Sequence, residues 1–340
     1  MSEITNSVNK NIKNNSPNPV FTIAKKEYTD AVKNKLFITL LIFLLVLTLV
    51  SIVVASFDFQ GKAADYNNSL KILKDLGKIT DAKDPPQFYP LQMLRGVINY
   101  LEIIGAILGI ILGYLSIAKE KGKRTLQLIL SRPVKRSDII SGKILGNTLL
   151  IFSVLGIVTL FIYLVIVIIG GAFLSSTEII KLLLTIIFSY MYIMFFFCLS
   201  SILTLKMSSL TQALVICFTI WLVFVLILPQ IGDTMDPDNQ IPGGFFQSMN
   251  IGKPQEKEIM AKFHTYETTR NAVEESSITK HYERMSFALL GIKDSYNGAN
   301  LGLIFKERWR DSIWLLSFLI ITIVIEYSVL SNKNKNFKEF

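Results

Sequence analysis

The apolar positions of this chain gather into six long runs, at 36–56, 96–117, 144–173, 179–205, 210–231 and 312–330. A helix crosses the hydrocarbon of a bilayer with about 20 residues, and the runs match that length. They are too long for buried strands and lack the strict alternation of a barrel strand. Lipid offers no partner to a free backbone N–H or C=O, so the runs predict six helices that satisfy their own backbones. The predicted fold class is therefore an all-α, multi-pass membrane protein.

The stretches between the runs carry weaker patterns. Residues 1–19 are rich in Asn, Ser and Lys, with Pro17 and Pro19, a composition that cannot bury a core and predicts a disordered arm. Over 20–35, Phe21, Ala24, Tyr28 and Ala31/Val32 recur at helical spacing, while Lys25, Lys26, Asp30 and Lys33 take the other side. That predicts an amphipathic helix lying in the headgroup layer; the simpler alternative is a helical extension of the first span. The 57–95 loop has room for a short helix near Leu70–Leu76 and a break at Pro85-Pro86. Residues 232–311 open on the turn-forming stretch Asp233–Gly244. They then read as helical from Glu256 to about Leu290, with Ile259, Met260, Phe263 and Tyr266 on one side, and predict a small helical domain. Residues 174–178 and Lys206–Ser209 are tight turns, and no internal repeat is present.

Composition agrees: 51% of the 340 residues are hydrophobic and only 18% are charged, less charge than a soluble domain of this size carries. The charge distribution adds an orientation. Residues 1–35 hold six basic residues against three acids, 118–143 eight against two, and 331–340 three against one. By contrast 57–95 holds six against five, and 229–311 ten against twelve. Lys and Arg accumulate on the cytoplasmic side of a membrane. Both termini and 118–143 are thus expected in the cytoplasm, with 57–95 and 232–311 outside, and an even number of spans agrees. No cleavable leader is expected, because the first run follows 35 polar or amphipathic residues and is itself of full span length.

A search for catalytic chemistry returns little. His264 and His281 stand seventeen apart with no metal-ligand motif around them. None of the five Gly-Lys pairs is followed by Ser or Thr, so no P-loop is encoded. Cys198 and Cys217 both fall inside predicted spans, which predicts no disulfide in the outer segments. Three ionisable residues interrupt apolar runs and are candidates by that fact. Lys181 and Glu326 lie near span ends and are expected to snorkel to the interface; Glu102, inside the second run, is the stronger candidate.

The basic stretch 118–143 has a pattern of its own. Leu126, Ile129 and Leu130 share one helical face, while Lys123, Arg124 and Gln127 point elsewhere. Pro133 disfavours helix at Arg132, and Ser137 and Asp138 offer a cap for the next long helix. The stretch predicts a short amphipathic helix held below the membrane between two spans, able to pass motion from a cytoplasmic partner into them.

Glu120-Lys121-Gly122, Thr125-Leu126, Leu128, Leu130-Ser131-Arg132-Pro133-Val134, Arg136 and Gly142-Lys143 resemble the cytoplasmic segment of ABC-2-type permeases of ATP-binding-cassette exporters. The likeness is in particular to the branch serving nitrous-oxide-reductase maturation and bacteriocin export. Arg124 stands where that family's run carries glycine. The resemblance implies a permease subunit in a prokaryotic plasma membrane, paired with a second permease chain, identical or not. It also implies a separate nucleotide-binding ATPase subunit that holds ATP and Mg, so that this chain has no catalytic residue, cofactor or metal of its own and no nucleic-acid partner. The coupling residues it implies are Glu120, Lys121, Gly122, Thr125, Leu126, Ile129, Leu130, Pro133 and Arg136. Polar residues able to face a translocation path are Asn99, Glu102 and Gln212. Two other classes compete: a non-transporting sensor or assembly anchor that binds a partner through its outer domain, and a secondary transporter or channel. The absence of repeats speaks against the latter.

Overall fold

A computed structural model of the chain describes residues 18–76, 89–122, 135–236, 245–293 and 296–331. Among them every regular element is helical. Six helices are long and apolar enough to span a membrane: α2 (Lys35–Asp75), α3 (Pro90–Gly122), α4 (Arg136–Ile168), α5 (Ser176–Lys206), α6 (Leu210–Met235) and α11 (Leu301–Ser331). The N-terminal α1 (Pro19–Val32) precedes them. Four short helices join α6 to α11: α7 (Phe245–Ser248), α8 (Lys253–Lys262), α9 (His264–Glu275) and α10 (Ile278–Leu289). Several sequence expectations lie outside the described residues: most of the N-terminal arm, the Pro85-Pro86 break, and Thr125, Leu126, Ile129, Leu130 and Pro133.

The bundle is built around α3 and α5. Ser200 Oγ donates to the Ile110 carbonyl at 2.8 Å. Such closeness needs a helix face without side chains, and Gly109 and Gly113 supply it. A methyl on Gly109 would stand 2.5 Å from the Ile193 carbonyl oxygen, and one on Gly113 would overlap that of Phe197. Small residues one turn apart are the usual means of close helix contact where lipid supplies no hydrophobic drive. Phe196, Phe197 and Cys198 of α5 are wholly buried against this seam.

Two spans contain a wider turn, at Leu101–Gly105 of α3 and Leu222–Ile227 of α6. Such turns recur at functional positions, and Glu102 lies in the first. Its carbonyl accepts from Tyr192 Oη at 2.8 Å.

Three features differ from the sequence reading: the end of the first span, the packed face of α1, and the helix of the α6–α11 connection that is buried. The first span continues as one helix to Asp75, 41 residues in all. At about 1.5 Å per residue that is roughly twice the thickness of a bilayer core. The polar extension holds because its residues are competent helix formers; Asp58 and Lys62 pair one turn apart at 2.7 Å. α1 is a separate helix, not an extension of α2: the chain breaks at Lys33–Asn34, where Asn34 Oδ1 accepts from the Leu36 and Phe37 amides and caps α2. The face of α1 that packs is Ala24, Glu27 and Ala31, whereas Phe21 and Val32 stay exposed. Finally, Phe263 and Tyr266 are exposed, and the buried helix of the α6–α11 connection is α10. Ile278, Tyr282, Met285, Ala288 and Leu289 of α10 have no exposed surface. Tyr282 stacks on Tyr192 of α5 (centroids 4.6 Å apart), and its hydroxyl lies 2.8 Å from Ser189 Oγ. α10 therefore sits among the spans rather than above them.

Contacts fix the two ends of the bundle. α1, the end of α3, the start of α4 and the end of α11 meet at one end, with Tyr327 Oη 2.6 Å from Ser141 Oγ. This is the terminus end. The start of α3, the end of α6, α10 and the start of α11 meet at the far end.

Candidate functional site

The terminus end carries a buried ionic cluster that joins three elements distant in sequence. Lys143, on the first turns of α4, is 2% exposed. Its ammonium stands 2.9 Å from Glu27 Oε1 of α1 and 3.1 Å from Glu120 Oε2 of α3. It also donates to the Ser116 carbonyl at 2.6 Å. Lys26 of α1 reaches the other Glu120 oxygen at 2.9 Å, and Ser116 Oγ donates to Glu27 Oε2 at 3.0 Å. Two carboxylates and two ammonium groups thus close on each other, and Lys26, Glu27 and Glu120 border a cavity of only about 30 Å³.

The backbone brings them together because Gly142 and Gly146 let α1 lie directly on α4. A methyl on either would come within 2.6 Å of Ile23 Cβ or the Ala24 carbonyl oxygen. A buried charge without a partner costs several kcal/mol, so the cluster holds only with all its members in place. Burial pulls Lys26 down, but the Glu120 hydrogen bond and the charges of Glu120, Glu27 and Asp30 outweigh it and leave Lys26 above the ordinary lysine value.

Of the residues expected at the coupling segment, Glu120, Lys121, Gly122 and Arg136 are described. Glu120 points into the cluster and is 6% exposed. Lys121 donates to the carbonyls of Thr204 (3.1 Å) and Met207, capping the end of α5. Gly122 ends α3, and Arg136 opens α4. Glu120 and Lys121 thus tie the end of α3 to α1, α4 and α5, and Arg136 stands about two turns before Lys143 on α4.

Asn99, Glu102 and Gln212 do not form one group. Asn99 is exposed near the far end of α3, and Glu102 follows it by three residues with its Oε1 sealed from solvent and without a hydrogen bond. Gln212 is exposed at the terminus end, on the first turn of α6, where it accepts from Ser208 at 3.5 Å.

Lys181 and Glu326 do not snorkel. Lys181 donates to the Ala299 carbonyl at 2.7 Å, and Glu326, 1% exposed, accepts from Ser201 Oγ at 2.6 Å. An internal partner within reach replaces the interface for each. The far end has a second charged group that the sequence reading missed. His281 of α10 is 2.7 Å from Asp311 of α11 and 2.9 Å from the Glu275 carbonyl oxygen, and it stacks on Trp314.

Glu27 and Lys143 were missed as well. Glu27 had a signal: it falls on the same helical face as Ala24 and Ala31, a lone acid on an apolar stripe. Lys143 stood one residue outside the apolar run and read as part of a charged loop.

A family model described as ABC-2 family transporter protein matches residues 21–334, from α1 beyond the end of α11. No curated protein matches the chain.

Proposed function

The chain belongs to the ABC-2 family of transporter proteins, and from that premise we propose that it is the membrane subunit of an ATP-driven exporter. Members of this family are membrane transport components, not themselves the ATPase, and normally work with an ABC ATPase subunit. In this reading both termini and the terminus end face the cytoplasm, as the excess of Lys and Arg there requires. A separate ATPase pair binds ATP and Mg below, and a second permease chain completes the membrane unit.

The docking element is 123–134, with Leu126, Ile129 and Leu130 seated in the ATPase and Pro133 ending the helix. The observation that carries the proposal is the way the roots of this segment are anchored. Glu120 is held by Lys26 and Lys143, and Lys121 by the terminal carbonyls of α5. A displacement of 123–134 is thereby delivered to α1, α3, α4 and α5 together, because pulling α3 alone would strand a buried charge. Glu120 and Lys121 act as positioning residues, with side chains turned inward. Asn99, exposed at the far end of α3, is available to a path between two permease chains, with Glu102 behind it.

The test is purification of the full chain from its native membrane under mild detergent. An ABC ATPase is expected in the complex, and hydrolysis is expected to leave with it when it is stripped off. Charge placed on the docking face, Leu126→Asp with Leu130→Asp, is expected to release the ATPase while the membrane subunit stays folded. Retention of the ATPase by that variant, or hydrolysis by the stripped chain, contradicts the proposal.

A further inference from the structure

The far end encloses a polar cavity of about 520 Å³ between α3, α6, α9, α10 and α11. That volume lies within the range of small-molecule sites. Its charges fall into two groups. On one side every cation is matched: Lys280 lies 2.8 Å from both Asp233 and Glu283, Arg284 pairs with Glu274, and Arg270 stands 3.1 Å from Glu267. Arg95, Lys293 and Arg308 line the rest of it.

The backbone places these three. Gly291, at φ 63°, turns the chain out of α10 so that the Ile292 amide donates to the Phe287 carbonyl at 2.9 Å. Lys293 then follows beside Phe287, the ring over which the Arg95 guanidinium sits at 5.8 Å. Gln92, one turn before Arg95, binds the Gly291 carbonyl at 2.8 Å and holds α3 to this turn. Arg308 marks a break in α11, with φ −110° and ψ 19°, and its Nε donates to Tyr296 Oη at 2.8 Å. Among the described residues its one ion-pair partner, Asp311, is 3.6 Å away and is already bound by His281. Among the described residues neither Arg95 nor Lys293 has a carboxylate within ion-pair distance. Lys293 is held below the ordinary lysine value, first by partial burial and then by the Arg308 and Arg284 guanidinium groups, against the opposing pull of Glu283 and Glu274.

Like charges gathered in a pocket are unfavourable unless an anion joins them. A carboxylate offers two oxygens in one plane; a phosphate offers oxygens in a tetrahedron, which three cations arriving from three elements can each meet. The geometry points to a phosphate-binding site formed by Arg95, Lys293 and Arg308 at the far end of the bundle. Phe287 and Ile292 line the same cavity and leave room for an apolar stem beside the phosphate. This inference does not depend on the transport reading above. The phosphate belongs either to a soluble molecule or to a lipid headgroup.

Two arms separate those sources. In the first, the full chain in phosphatidylcholine nanodiscs is titrated with inorganic phosphate, with chloride at equal ionic strength as the reference. A saturable rise in unfolding temperature is expected with phosphate only. Its midpoint should move at least about tenfold in Arg95→Gln/Lys293→Gln, since each lost charge-assisted hydrogen bond is worth about that factor. In the second, nanodiscs contain phosphatidylglycerol, and native mass spectrometry reads retained lipid on the chain and on the double variant. A response in the first arm identifies a soluble ligand. Retention in the second, lost in the variant, identifies the headgroup. A measurement on the unaltered chain guards against misfolding of the variant: phosphate or phosphatidylglycerol should slow acetylation of Lys293 and leave Lys62 unaffected. Silence in both arms, responses unchanged in the variant, or equal acetylation with and without the anion overturns the site.

Discussion

The two ends of the bundle solve the problem of buried charge in different ways. At the terminus end two carboxylates and two ammonium groups from α1, α3 and α4 close on one another, beside a cavity of only about 30 Å³. At the far end more charges surround about 520 Å³, and part of the cation set is left facing open space. A closed cluster fixes the relative positions of its helices, since any separation exposes an unpaired charge to a medium that cannot solvate it. An open one leaves room for a ligand. The difference assigns rigidity to the end where Gly122 closes α3 and Arg136 opens α4, and reception to the other.

The strongest way to break this contrast is at its centre. Lys143→Met leaves Glu27 without its ammonium partner and Glu120 with only the half-exposed Lys26, and is expected to destabilise the chain by about 3–5 kcal/mol, read as loss of monodisperse protein in a thermal scan. Adding Glu27→Gln and Glu120→Gln should recover most of it, because the loss comes from uncompensated charge. If the single variant is as stable as the native chain, the cluster is not closed.

At the far end, Lys280→Gln removes the partner of two less buried carboxylates and is expected to cost about 1–3 kcal/mol. Burial pulls Lys280 down, but Glu283 and Asp233 push it well above the ordinary lysine value. A base raised in the folded state stabilises fully below its unfolded pKa and loses that stabilisation as pH rises towards the folded one. Stability should therefore be level from about pH 7 to 9 and fall above about 10.4, with a shallower fall in Lys280→Gln. Parallel curves for the two proteins would remove Lys280 from the account.

The smallest effect sharpens the contrast within one cluster. The Lys26 side chain is 50% exposed, against 3% for Lys143. Lys26→Gln should cost less than about 1 kcal/mol, and about 0.5 M salt should erase the difference. Salt should leave the Lys143→Met deficit unchanged. Equal salt sensitivity would place both ammonium groups in water.

Much of the fold could be read from the chain because hydrocarbon imposes a simple rule on length and polarity. The six spans follow from it, while the helical character of the α6–α11 connection came from residue spacing. Where they end did not follow: α2 runs on to Asp75 because a polar helix needs only local pairs, which hydropathy does not register. The site was legible in one part. The charge and pattern of 118–143 marked the segment, but the partners of Glu120 and Lys143 lie 94 and 116 positions before them. Pairing over such a distance leaves no periodic signature. α10 hid for another reason: Lys280, His281, Glu283 and Arg284 give it the composition of a surface helix, although its Ile278, Tyr282, Met285 and Leu289 are buried.

In the proposed function, motion applied at 123–134 reaches the far end through the anchored roots of α3 and α4. Asn99 is exposed at that end and reports on it when replaced by cysteine. In the intact complex with its ATPase, the rate at which a membrane-impermeant maleimide modifies Asn99→Cys is to be measured with and without ATP and Mg. A severalfold change on adding nucleotide is predicted, absent when Leu126→Ala and Leu130→Ala are added although hydrolysis continues. A rate indifferent to nucleotide in the intact complex, or the same response with the docking face removed, would contradict the claim.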